Sequence, residues 1–173
     1  MSGPIPSADA VRTALTRLRT RTGPSAARPR STDVGVRALF DLPVVKQATS
    51  ADGLEPEAAD KVIRRLAGQL PLTELAIVDA ALSLGLLAKR LPGRREIASL
   101  YAADVGERRE RLVDLWSGIH DWLGVPPPDT SMTVRGLRTT QEADAIEKLA
   151  ELCVRESWPE PSPAEAGRSS RCS

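Results

Sequence analysis

Asp79 lies in the run TELAIVDAALSLGLLAKRL, where Ile77, Val78, Leu82, Leu84, Leu86 and Leu87 leave a carboxylate little polar company. Burial disfavours the charged form, so such a group needs a hydrogen-bond partner or takes a raised pKa. One reading makes Asp79 a core anchor that accepts from an arginine, from the indole of Trp116 or Trp122, or from His120. The other makes it a ligand-binding or catalytic carboxylate. The anchor is favoured, because no second acid or nucleophile stands beside it in the sequence. His120 is the chain's one histidine, with Trp116 and Ser117 before it and Asp121 after it. Ser, His and Asp on one helix do not make a triad without a strained nucleophile and oxyanion donors. His120 is expected to be hydrogen-bonded and partly buried beside Trp116. Asp79 and His120 are therefore the candidate buried polar site.

A second group of residues is basic. The segment REIASLYAADVGERRERL resembles a helix-turn-helix, with Ile97, Ala98, Tyr101 and Leu112 at the spacing of a support helix, turn and recognition helix. The resemblance implies that Arg108, Arg109 and Arg111 are the candidate nucleic-acid contacts, since a guanidinium can pair bidentately with phosphate or guanine. The segment departs from the motif at Ala102, where glycine is usual, and at Arg108, where an apolar residue normally packs the two helices. A buried arginine there is costly. Glu107 and Glu110 also make the surface partly acidic. The expected reading is a solvated charged turn with internal ion pairs, and DNA binding is the alternative.

Trp116, Trp122 and Trp158 stand against a single Tyr and a single Phe. Trp116 falls on a packing stripe; Trp122 and Trp158 are the candidate partner anchors, with core closure ranked slightly ahead of docking for Trp158. Cys153 and Cys172 form no disulfide framework, and one histidine without clustered ligands gives no metal or cofactor site to expect. Ser169 or Ser170 near Cys172 has the chemistry of a thioether-crosslinked peptide substrate, but a plain tail with a free thiol accounts for it more simply.

These side chains have to be positioned by helices. The chain has 173 residues, 41% hydrophobic, enough for one domain that buries a core without a disulfide or metal. A net charge of +1 removes any global case for a nucleic-acid or anionic-membrane binder; only a local patch could restore one. The opening MSGPIPSADAVR lacks the apolar stretch of a signal peptide, which with the cysteine usage points to the cytoplasm.

Ser7 is positioned to cap a first amphipathic helix within 1–23, with Val11, Ala14, Leu15 and Leu18 inward. Residues 24–53 read as a linker holding a short helix over 33–42 that Pro43 stops. The main domain is placed at 54–158, around one helix from Leu72 to Leu91 that is apolar on nearly every side; Glu74 and Asp79 argue against a membrane span. A helix to Leu123 closed by Gly124, a stiff Pro126-Pro127-Pro128 connection, a strand-like touch at Met132–Val134 and a helix with a Thr139/Glu142 capping box complete it. Residues 159–173 read as a disordered tail. The expected fold is all-α, an irregular bundle of six or seven helices about a central apolar one. The expected function is a non-enzymatic interaction or regulatory module, the expected partner being a protein or a second copy. The alternatives are the DNA-binding regulator and a ligand binder or enzyme centred on Asp79.

Overall fold

The computed structural model describes residues 5–18, 37–52, 55–126 and 131–157. It is all-α, and no strand occurs among the described residues. The helices are α1 (Ala8–Leu18), α2 (Arg37–Asp41), α3 (Pro43–Asp52), α4 (Glu55–Ala67), α5 (Leu72–Leu82), α6 (Leu86–Arg90), α7 (Arg95–Tyr101), α8 (Val105–Leu123), α9 (Val134–Gly136) and α10 (Glu142–Ser157). A π-helical turn over Leu137–Gln141 joins α9 to α10. Residues 24–36 and 53 of the proposed 24–53 linker, Pro127 and Pro128 of the stiff connection, Trp158, Cys172 and the tail lie outside the described residues.

The first helix starts as its sequence predicts: the Ala10 N–H donates to Ser7 Oγ at 3.2 Å, and Val11, Ala14, Leu15 and Leu18 are all buried. That stripe packs on α10 and belongs to the same hydrophobic cluster as α5 and α8, so the N-terminal helix is part of the main core. Pro43 does not end the helical region. It opens α3 at the first helical position, where its missing N–H costs nothing and its fixed φ suits the helix. The connection read as linker is therefore helical over Pro43–Asp52.

α5 is the central helix: every residue from Leu75 to Leu82 is buried, so beyond its first turn it has no solvent face. α10 is its counterpart, packing against α1, α3, α4 and α5 through Ala145, Ile146, Leu149, Ala150 and Cys153. Lys148 Nζ pairs with Glu74 Oε1 at 2.5 Å and fixes α10 against the start of α5. α8 contributes Leu112, Trp116 and Ile119, while Leu115, Trp122 and Leu123 are half-buried at its flanks.

Three expected elements take another form. The single helix from Leu72 to Leu91 is two, interrupted at Ser83–Gly85, where Ser83 (φ 57°) and Gly85 (φ 81°) are left-handed. Met132 is buried, but no strand forms there; Thr133 caps α9, its Oγ1 accepting from the Gly136 N–H at 3.0 Å. The Thr139/Glu142 capping box is replaced by the π-helical turn, and the Glu142 carboxylate turns to α8. No helix among the described residues is long and apolar enough to cross a membrane.

Candidate functional site

The break between α5 and α6 brings most of the chemically capable side chains together. Ending a helix inside a core strands carbonyls at one end and N–H groups at the next, and each buried orphan must find a partner. Asp79 serves the second set. Its Oδ1 accepts from the Leu86 N–H at 2.8 Å and its Oδ2 from the Leu87 N–H at 3.0 Å, so a residue inside α5 caps α6. Tyr101, the last residue of α7, donates its hydroxyl to Asp79 Oδ2, and that hydroxyl accepts in turn from the Ala88 N–H at 3.3 Å. Asp79 is fully buried, and burial raises its pKa against the lowering effect of these donors. Burial and the adjacent carboxylate both raise the Tyr101 pKa, which keeps the phenol protonated.

Arg108 serves the first set. Its Nε donates to the Ala80 carbonyl at 2.5 Å, Nη2 to that of Ala81 at 3.0 Å, and Nη1 to that of Ala103 at 2.9 Å. A guanidinium thus occupies the negative end of the α5 dipole, a favourable place for a cation. This corrects the expectation of a solvated charged turn, because Arg108 is fully buried. The slot usually apolar in a helix-turn-helix admits an arginine here because its donors meet stranded carbonyls. Burial draws the Arg108 pKa down, opposed by the carboxylates of Glu142 and Asp104.

The other two arginines are also engaged. Arg109 makes a bidentate pair with Glu142, both bonds at 2.8 Å, with side-chain exposures of only 11% and 3%. The π-helical turn sets up this pairing at the head of α10. Arg111 donates to the Ser99 carbonyl of α7 and lies 3.6 Å from Glu107. Asp104 caps α8, accepting from the Glu107 N–H at 2.9 Å. The structure therefore supplies the two helices and turn that the sequence suggests, yet directs all three candidate arginines into contacts within the protein. The outward edge of α8 carries Glu107, Glu110, Asp114 and Asp121, all exposed.

His120 is buried away from Asp79's hydrogen-bond partners. Its ring meets Trp116 edge to face, 4.5 Å between centroids, and its Nδ1 is 2.7 Å from the Pro126 carbonyl. That carbonyl can only accept, so Nδ1 carries the proton and donates. The polar pair Asp79 and His120 is thus two separate anchors. Trp122 is half-buried, with the Arg94 guanidinium 4.2 Å above its ring. Among the described residues no three His, Cys, Asp or Glu side chains converge. An open cleft of about 250 Å³ lies between the α4–α5 turn and α10, lined by Leu70, Pro71, Leu152 and Arg155 among others; neither Asp79 nor any of its hydrogen-bond partners lines it.

The partners of these groups escaped the sequence reading. Tyr101 was a spacing residue and not a donor to Asp79, and Glu142 a capping residue and not the counter-ion of Arg109. Gly85 within an apolar run was the one local sign of a break. No protein-family model, curated protein or solved structure matches the chain.

Proposed function

We propose that the protein is a non-enzymatic helical interaction or regulatory module of the cytoplasm, acting through a protein partner or a second copy of itself. One observation carries the reading: Asp79, Tyr101, Arg108, Arg109 and Glu142 are joined to one another or to helix ends, a use that fixes α5, α6, α7, α8 and α10 as a rigid scaffold. Such a scaffold presents a pre-organised surface, which lowers the ordering cost of association. Both Asp79 carboxylate oxygens are already bonded, which argues against the ligand-binding reading centred on it.

The test is co-purification from the native host with the protein as bait. A stoichiometric protein partner, lost when Glu107, Glu110 and Asp114 are changed to Lys with helix content intact, is the expected result. A substrate turned over by the purified chain would overturn the reading. The DNA-binding regulator keeps one favourable observation, the α7–turn–α8 arrangement. It requires a defined site from a random-duplex selection, with affinity that falls when Arg111, the least buried of the three arginines, becomes Ala.

A further inference from the structure

The chain is nearly neutral, but its charge is not evenly placed. Across the α6–α7 turn the sequence Lys89-Arg90-Leu91-Pro92-Gly93-Arg94-Arg95 holds four cations, and the first carboxylate after them is the exposed Glu96. All of these residues except Leu91 are exposed; Leu91 is buried and pins the turn to the core. Two of the cations are held in position by groups that leave their charge uncancelled. Arg90 Nη2 donates to the Gly68 carbonyl at 3.2 Å, and the Arg94 guanidinium rests on the Trp122 ring. Lys89 and Arg95 flank them, and among the described residues none of the four is paired with a carboxylate. At the apex, Gly93 has φ +81° and nothing within 4 Å of where a Cβ would stand, so the backbone is open to close approach.

We propose that the α6–α7 turn is a polyanion-binding surface whose partner is the phosphodiester backbone of a nucleic acid, bound without reading base sequence. Guanidinium groups match phosphate oxygens in a bidentate geometry, and here two are already oriented, so little rotamer freedom is lost on binding. A protein or membrane partner is less well matched. The turn itself carries no exposed large hydrophobic side chain to seat in a protein interface or to wedge into a membrane; Val125, the one such residue exposed among the described residues, lies beyond α8. The acidic edge of α8 disfavours its entry into a groove, so the turn supplies backbone contacts alone. This surface is distinct from Arg108, Arg109 and Arg111, which the fold has already engaged.

Fluorescence anisotropy with a labelled 20-base-pair duplex of scrambled sequence, from 50 to 200 mM NaCl, tests the proposal. Four phosphate contacts predict a log–log salt slope of about −3 to −4, close to a 100-fold weakening over that range. A scrambled and an unrelated duplex should bind within about threefold of each other. Changing Lys89, Arg90, Arg94 and Arg95 to Ala should abolish binding at 50 mM. Changing Arg135 and Arg138, exposed arginines on α9 and the π-helical turn, should weaken it by less than about threefold. Should the fourfold variant lose helix content, Lys89→Glu with Arg95→Glu replaces it, since neither side chain contacts the core, and the same loss is required. The proposal is overturned if the duplex is not bound at 50 mM or if the turn variants bind as the wild type does. It is also overturned if polyglutamate displaces the duplex at equal charge, or if anionic vesicles bind the protein where the duplex does not.

Discussion

Replacing Asp79 with Leu removes the acceptor for three donors at once. The Leu87 N–H and the Tyr101 hydroxyl make buried bonds, and the Leu86 N–H a partly buried one. A buried donor left without a partner costs about 1–3 kcal/mol, so two full penalties and half of a third come to about 2.5–7.5 kcal/mol. Set against a usual total of about 5–15 kcal/mol, that is a large fraction of the stability of the fold. Were Asp79 only a tolerated polar residue whose partners could turn to water, its removal would instead be neutral or helpful. Urea unfolding followed by tryptophan fluorescence separates the two. Tyr101→Phe supplies the internal control. In the wild type it removes a bond to a carboxylate and should cost about 1.5–3 kcal/mol, but in the Asp79→Leu background that bond is already gone and the cost should fall below about 1 kcal/mol. A shift of under about 1 kcal/mol for Asp79→Leu, or additive effects in the double variant, would refute the capping role given to Asp79.

Burial raises the Asp79 pKa above its ordinary 3.8, so the folded state holds that proton more tightly than the unfolded chain. The associated stability is present below the unfolded pKa and lost as pH rises through the folded one; the stability of the wild type minus that of Asp79→Asn should therefore fall with rising pH above 3.8, in urea titrations at matched ionic strength. Glu142→Gln breaks a pair in which Arg109 keeps 11% side-chain exposure, and chemical denaturation should show a loss of about 2–4 kcal/mol, a little below that of fully buried pairs. Ser83→Gly relieves a left-handed φ and removes a buried hydroxyl without a partner, so it should raise the unfolding midpoint, by up to about 1 kcal/mol of stability. In a Cys172→Ser background, the buried Cys153 thiol, whose pKa burial pushes up to about 12, should react with a thiol reagent only as fast as the protein opens; rapid labelling under native conditions contradicts its burial.

The helices were legible where one period governed several side chains. Val11, Ala14, Leu15 and Leu18, or Ile146, Leu149 and Cys153, mark a buried stripe in the sequence and occupy one in the structure. Ser7 and Gly124 likewise show helix ends through their own chemistry, a hydroxyl acceptor and a left-handed φ. What stayed hidden depends on residues far apart in sequence. The run from Leu72 to Leu91 has the local pattern of one helix; it is interrupted because Arg108 and Tyr101, on other helices, supply partners for the groups exposed at the break. Arg108 was misread as solvated for the same reason, since three carbonyl acceptors brought to it by folding offset a desolvation that local sequence makes look prohibitive. The inference that Asp79 is an anchor needed only its burial, but naming its donor required the fold.

The interruption in the central helix also bears on the order in which a chain leaves the ribosome. Asp79 emerges with the helix it belongs to, but the hydroxyl and guanidinium that complete the break are synthesised later, at positions 101 and 108. Until then, the break has only its local cues, Gly85 and the Asp79 cap on Leu86 and Leu87, while the Ala80 and Ala81 carbonyls lack the guanidinium that serves them in the finished fold. The bend is thus closed by side chains that are added to the chain after both of the helices it separates.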